Sequence, residues 1–164
     1  MNTNRSKLDI VFKDSFLLFG LSTKAPSSFS TEAPNSTEIL VVLWGKLIAA
    51  LIAAGESPQR EMFGATCPAD DEVPPQVIDY FAGSTLAIEG LETISVPAGM
   101  YLRYVHNGPK SAVEDSFRDA YLNIFAKSGL TDRDALHLEI YPADFDSSAE
   151  VITFEILIPI NSLE

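Results

Sequence analysis

From Ile10 to Leu21 the chain reads Ile-Val-Phe-Lys-Asp-Ser-Phe-Leu-Leu-Phe-Gly-Leu, a hydrophobic run that predicts an opening strand. The Ser/Thr/Pro-rich piece after it, Ser22 to Ser36, has little to bury and is expected to be a loop. Asn35 followed by Glu38 has capping-box spacing with Pro34 just before it, which predicts a helix running to about Ala54 and stopped by Gly55. Between Ile39 and Ala54 only Gly45 and Lys46 interrupt the apolar pattern. A helix of that kind has no broad solvated face, so it needs cover from a sheet and from something else, a second helix or a partner chain. It is too short for a membrane span, which takes about 20 apolar residues, and a lysine sits in its middle.

Met62 to Pro68 and Val77 to Ile88 read as two strands separated by the acidic, proline-stopped loop Ala69 to Pro75. The next stretch, Ile94 to His106, passes through Pro97-Ala98-Gly99, which predicts a bulge or an edge start rather than a central ladder. Ser111 and Glu114 repeat the capping-box spacing, and Lys127 and Gly129 suit a helix C-terminus. Val113, Phe117, Ala120, Tyr121 and Ile124 fall on one face, so this second helix is amphipathic. Leu136 to Tyr141 and Val151 to Ile160 are the last two strands, joined by the polar loop Pro142 to Glu150.

The element order predicts an α+β fold: two pseudo-symmetric β-α-β-β units forming an antiparallel or mixed sheet, with two helices on one face and a ligand cleft between the units. One domain is expected over 8–160, with halves of about 8–90 and 94–160, an N-terminal tail at 1–7 and a C-terminal tail at 161–164. The closing Leu163-Glu164 has the form of a cloning remnant, and nothing functional is drawn from it.

Length and composition agree, since 164 residues at 46% hydrophobic content support one substantial core. The formal charge of -12 is the wrong sign for long-range attraction to nucleic acid or an anionic membrane, so neither is an expected partner. With Cys67 as the only cysteine there is no intramolecular disulfide, and the first 30 residues lack a signal-peptide core; the expected location is the cytoplasm. Phosphate-loop, dinucleotide, paired-cysteine and His-Glu-x-x-His patterns are all missing, so no cofactor or metal is expected.

The segment with chemical content is Leu136-His137-Leu138-Glu139-Ile140-Tyr141. Alternation puts Leu136, Leu138 and Ile140 on a core face and His137, Glu139 and Tyr141 on the other, an acid between an imidazole and a phenol. On pattern alone Glu139 is as readily exposed as held in a cleft. In the last strand Glu155 reads as an acid exposed at the rim. Tyr101 and Arg103 point away from Tyr104 and His106; Arg103 reads as solvated, with pairing to a carboxylate as the alternative. Trp44 is either core or cleft wall. Aromatics around a carboxylate suit flat or cationic ligands, through stacking, cation–π attraction and charge pairing.

Several short motifs occur in a familiar order: Leu43-Trp44, Tyr80-Phe81-Ala82-Gly83, Pro97-Ala98-Gly99-Met100-Tyr101 leading to Gly108-Pro109, Glu139-Ile140-Tyr141, and Ile158-Pro159-Ile160. On these the chain resembles the GyrI-like small-molecule-binding domain, also found as the effector-binding domain of bacterial transcription activators. The resemblance runs from about Leu8 to Ile160. It implies two strand-helix-strand-strand units with the ligand between them, a buried carboxylate that falls on Glu139, and aromatics around it. Phe125 stands where many members have Trp, and Phe63 precedes Gly64 where Tyr is common, so the aromatic wall is kept while polar handles are lost and the ligand is not transferable. The chain starts almost directly in its first strand, leaving no room for a helix-turn-helix.

Three functions are compatible with this reading. The first is stand-alone binding or sensing of an organic, aromatic or cationic molecule, with Trp44, Tyr101, Tyr104, Tyr121, Phe125, Glu139, Tyr141 and Glu155 as candidate ligand-binding residues. Its expected form is a concave pocket walled by Glu139, Tyr141, Tyr101, Tyr104 and Trp44. The second is hydrolysis of strained or electrophilic small molecules, with Glu139 as general base and Tyr101 or Tyr141 as partner. The third is an acidic inhibitory module acting on an unidentified protein.

Overall fold

In the computed structural model, which describes residues 8–27, 33–71 and 75–162, the opening hydrophobic run is two strands and not one. It divides at Asp14-Ser15 into β1 (Ile10–Lys13) and β2 (Phe16–Pro26). The stretch from Ile94 divides in the same way at Pro97-Ala98, into β5 (Glu92–Val96) and β6 (Gly99–Gly108). Between and after them come α1 (Ala33–Ala53), β3 (Met62–Pro68), β4 (Val77–Ser84), β7 (His137–Tyr141) and β8 (Ile152–Ile160). The expected loop at Ser22 is therefore strand as far as Pro26, because Leu21 to Pro26 pair with Ala82 back to Val77. The expected tail residues 1–7 and Leu163-Glu164 lie outside the described residues, as do 28–32 and 72–74 of the two expected loops.

All eight strands form one antiparallel sheet in the order β1-β6-β8-β7-β3-β4-β2-β5. Exchanging each strand for the one four places away in sequence reproduces this order read backwards, so the sheet has a pseudo-two-fold centre between β7 and β3. β1 and β2 are six strands apart in that order, as are β5 and β6, yet each pair is joined by two residues. A flat sheet would separate them by roughly 29 Å at about 4.8 Å per strand, against the roughly 10 Å that such a joint spans. The sheet must curl until its ends meet. Accordingly Leu18 of β2, Val96 of β5, Tyr101 of β6 and Leu157 of β8 share one buried cluster with Phe63, Ala65, Phe81, Leu138 and Ile140, and no described helix side chain enters it. Arg133 lies against this inner core, its guanidinium 5.0 Å from the Tyr101 ring and bonded to the Ile160 and Met100 carbonyls. A Cβ on Gly99 would collide with that guanidinium, so the glycine lets Arg133 lie in this position.

Both helices pack on the outer face. Leu40, Leu43, Trp44, Leu47 and Leu51 form the stripe by which α1 covers Tyr80, Ala82 and Met62. α1 begins at Ala33, earlier than expected, and the side chain of the expected cap Asn35 lies outside the described residues. Its C-terminus is a Schellman motif, with Gly55 at φ 79° and bonds from Glu56 N to Leu51 O and from Gly55 N to Ile52 O, each 2.9 Å. The second expected cover for α1 is not supplied by the described residues: Val41, Val42 and Ile52 are 64%, 56% and 60% exposed among them.

The second helical segment opens as a 3-10 turn (Lys110–Ala112), continues as α2 (Val113–Arg118), widens into a π-helical turn (Asp119–Phe125) and closes as α3 (Ala126–Ser128), with Gly129 left-handed at φ 79°. The expected Ser111–Glu114 box is not formed; Pro109 starts the tighter turn, which places Ser111 inside the first turn instead of at its cap. Val113, Phe117, Ala120, Tyr121 and Ile124 face β6 and β8 as the periodicity implied. Among the described residues no helix is long and apolar enough to cross a membrane.

Candidate functional site

β3 and β7 meet at the centre of the sheet, between the two helices, and there Gly64 is paired with Glu139. Strand alternation sends Leu138 and Ile140 into the inner core and His137, Glu139 and Tyr141 outward beneath the helices. The Glu139 carboxylate accepts two phenolic hydrogen bonds on one oxygen, from Tyr80 at 3.0 Å and from Tyr141 at 2.5 Å, both to Oε1. Tyr80, 1% exposed, in turn accepts a hydrogen bond from the Trp44 indole Nε1 at 3.2 Å. A chain of donors thus runs from α1 through β4 to the acid on β7.

No described group bonds to Oε2, and Glu139 as a whole is half-buried. Burial raises the proton affinity of Glu139 above the ordinary carboxylate value, and the Tyr141 and Tyr80 hydrogen bonds oppose that shift without cancelling it. Tyr141 and Tyr80 are both pushed well above the ordinary phenol value, by burial first and by the Glu139 charge second. They stay neutral donors across the physiological range.

Aromatic rings surround the acid. Trp44 stands edge-on to Tyr141 at 5.6 Å and to Tyr80 at 6.4 Å, while Tyr141 stacks on Phe154 at 5.0 Å and meets the edge of Phe145 at 4.9 Å. Beside Glu139 on the same strand face, His137 Nδ1 is 2.6 Å from the Tyr121 hydroxyl and Nε2 is 3.0 Å from Asp132 Oδ2. Burial pushes the Tyr121 hydroxyl up, helped by the charges of Glu139 and Asp132. Burial alone would raise Asp132, but hydrogen bonds from His137 and the Asp134 backbone and the charges of His137 and Arg133 hold it below the ordinary range.

Of the residues singled out in the sequence, the structure gathers Trp44, Tyr121, Glu139 and Tyr141 here. Tyr104 and Phe125 lie on the same sheet face but belong to the packing under the second helix, Tyr104 donating to Asp119 at 2.9 Å. Tyr101 and Glu155 are not brought to the site. Tyr101 is fully buried in the inner core, and its hydroxyl is a sealed polar atom without a partner among the described residues. Glu155 is ion-paired with Arg103 at 3.3 Å, and Arg103 also reaches Asp9 at 2.8 Å, so Arg103 pairs with carboxylates rather than standing free. Tyr80, Phe145 and Phe154 were not among the candidates. Gly64 was the available signal for Tyr80, since a glycine inside a strand marks close approach of another group.

Two of the hollows on the described surface are sizeable, and neither is lined by Glu139. One of about 750 Å³ lies at Gln59 and the 143–147 turn, the other of about 420 Å³ between Ser22-Thr23 and Glu38, Ile39, Val42, Leu43 and Lys46 of α1. The larger touches the site only through Phe145, whose other side packs on Tyr141. The expected single pocket spanning Trp44, Tyr101, Tyr104, Glu139 and Tyr141 is not present in that form, because Tyr101 points to the opposite face of the sheet. Among the described residues no three His, Cys, Asp or Glu side chains could jointly hold a metal ion.

The family model described as the GyrI-like small molecule binding domain matches residues 7–161. No curated protein sequence matches the chain. Among solved structures, a Staphylococcus aureus MU50 protein assigned to transcription regulation is similar, with a TM-score of 0.69 at 18% identity over 94% of this chain and 98% of its own. A protein solved bound to tetraphenylphosphonium has a TM-score of 0.69 at 17% identity, over 96% and 95% of the two chains. An integron cassette protein from the mobile metagenome of Vibrio cholerae gives 0.68 at 18% identity, over 94% and 95%.

Proposed function

The chain belongs to the GyrI-like small-molecule-binding family, and on that premise we propose that it binds an organic, aromatic or cationic molecule between its two helices with Glu139 as the anchor. One observation carries the reading: both phenols donate to Oε1 and no described group bonds to Oε2, so a half-buried carboxylate among aromatic rings keeps an acceptor for a ligand. A carboxylate held this way presents its charge to a ligand whose rings pack on Trp44 and Tyr141, where cation–π attraction and charge pairing act together. The neighbour bound to tetraphenylphosphonium supports a bulky aromatic cation as the ligand class. Access is from the hollow at the 143–147 turn, by displacement of Phe145 from Tyr141.

Trp44 is the only tryptophan, so its emission reports directly on the site. Titration with tetraphenylphosphonium and with neutral triphenylphosphine oxide should change that emission with a dissociation constant in the micromolar range for the cation and much weaker binding of the neutral analogue. Equal affinity for both would remove the charge from the account.

A hydrolytic reading draws on the same residues, because a carboxylate of raised proton affinity beside the Tyr141 hydroxyl has the form of a general base with a phenolic partner. Turnover of epoxides or activated esters that is lost in Glu139→Gln would favour it; binding without turnover favours the sensor.

A further inference from the structure

His137 and Glu139 occupy positions i and i+2 on the outward face of β7, so their side chains stand about 7 Å apart along the strand. His137 is held from both sides, by Tyr121 of the π-helical turn at Nδ1 and by Asp132 of the preceding loop at Nε2, and its side chain is only 19% exposed. With Asp132 ionised, Nε2–H donates to that carboxylate, and the neutral ring takes the Tyr121 proton on Nδ1. A second proton would go to Nδ1, turning it from acceptor to donor and requiring the Tyr121 hydroxyl to turn away. The charged group in contact with the ring is Asp132, which Arg133 of the same loop also influences, while Glu139 on the same strand face and Asp132 both act on the neutral Tyr121 that holds Nδ1 from the helix.

We propose that His137 is a specificity-determining residue of the Glu139 site: a proton on its ring and a cationic ligand on the carboxylate compete, so that the site takes organic cations when His137 is neutral and loses them when it is charged. This rests on Glu139 being the ligand anchor. A cation seated on the Glu139 carboxylate shares a partly buried site with the neighbouring His137, and like charges within about 10 Å there repel enough to change affinity by on the order of tenfold. A neutral ligand of the same shape feels no such repulsion. Linkage makes the effect reciprocal, since the ligand must make His137 harder to protonate by the same factor.

The test measures tetraphenylphosphonium affinity from about pH 8 down to about pH 5 for the wild type and His137→Gln, by Trp44 emission. Alongside it, the His137 ring resonance of the wild type is titrated by NMR with and without the cation. The expected result is a steeper loss of affinity in the wild type, by roughly tenfold at the acid end, and a fall in the His137 midpoint of about one pH unit on saturation. The NMR arm needs no variant, so it stands even if His137→Gln folds poorly. Tight binding with the same pH profile in both proteins and an unmoved His137 midpoint overturns the proposal and leaves the Glu139 anchor intact. No binding by the wild type at about pH 8 overturns both.

Discussion

Gly64 faces Glu139 across the β3–β7 ladder, and a Cβ at Gly64 would lie 3.0 Å from Glu139 Oε1 and would overlap the Tyr80 hydroxyl. The absence of a side chain on one strand is therefore what lets a tyrosine from β4 reach an acid on β7. Site and sheet are built from the same pairing, at the point where the two halves of the strand order meet.

Gly64→Ala is expected to push Tyr80 off Glu139 and to destabilise the fold by about 1–3 kcal/mol, the usual range for overfilling a packed site. The denaturant midpoint measures it, with an unchanged slope showing that stability alone has moved. In a Tyr80→Phe background, which removes the colliding hydroxyl, the cost of Gly64→Ala should shrink, and a double-mutant cycle reads the coupling. Additive costs would mean that the two residues do not constrain each other.

Tyr80→Phe deletes the donor to Glu139 and the acceptor for Trp44 Nε1 at once. Leaving a half-buried indole N–H without its acceptor and a carboxylate short of one bond should cost about 1–3 kcal/mol. It should also raise the proton affinity of Glu139 further, because the Tyr80 bond is one of the two that hold it down. Unfolding curves and the carboxyl carbon shift of Glu139 against pH check the two statements separately.

The raised proton affinity of Glu139 has a defined sign in stability. Well below the ordinary carboxylate value both folded and unfolded chains hold the proton, and the group contributes no difference. As pH rises through the ordinary carboxylate value the unfolded chain ionises first, so stability is lost progressively until the folded carboxyl has ionised too. Glu139→Gln, whose amide oxygen can still accept from both phenols, removes that loss. The variant should melt higher than the wild type at about pH 7 and with it below about pH 4; a variant less stable at neutral pH would mean that the ionised carboxylate is a net stabiliser.

Phe145 lines the larger hollow and packs on Tyr141, the hydrogen-bond partner of Glu139, and the proposed route to the acid passes this ring. Phe145→Ala should speed association of a bulky cation several-fold in stopped-flow Trp44 emission while leaving the cation-over-neutral preference intact, since that preference is set by Glu139. An unchanged association rate would place the entry elsewhere.

The sequence made much of this arrangement legible, and its failures have physical reasons. Alternation in Leu136 to Tyr141 separated Leu138 and Ile140 from Glu139 and Tyr141 correctly, because one face of β7 is sealed in the curl and the other is polar. The same alternation split Tyr101 from Tyr104 but did not say which of them faced the helices. Ile10 to Leu21 read as one strand because the two-residue joint at Asp14-Ser15 carries no glycine or proline, and nothing local reveals that the chain there passes from one end of the sheet to the other. Tyr80 was missed because β4 is apolar on both faces, with Phe81 in the inner core and Tyr80 and Ala82 under α1, so the pattern offers no inside and outside. Which residues a curled sheet brings together is decided by closure, a long-range property that no window of the sequence contains.

Whether the charge of Glu139 selects the ligand is tested by the tetraphenylphosphonium affinity of Glu139→Gln against the wild type at about pH 8, measured by Trp44 emission and calorimetry. Glutamine has nearly the same size and keeps an acceptor for Tyr80 and Tyr141, so the change isolates the charge. The account predicts affinity at least tenfold lower in the variant, the loss of a charge-assisted contact of about 1.4 kcal/mol or more, with neutral triphenylphosphine oxide bound equally by both proteins. Equal affinity of the two proteins for the cation would contradict it.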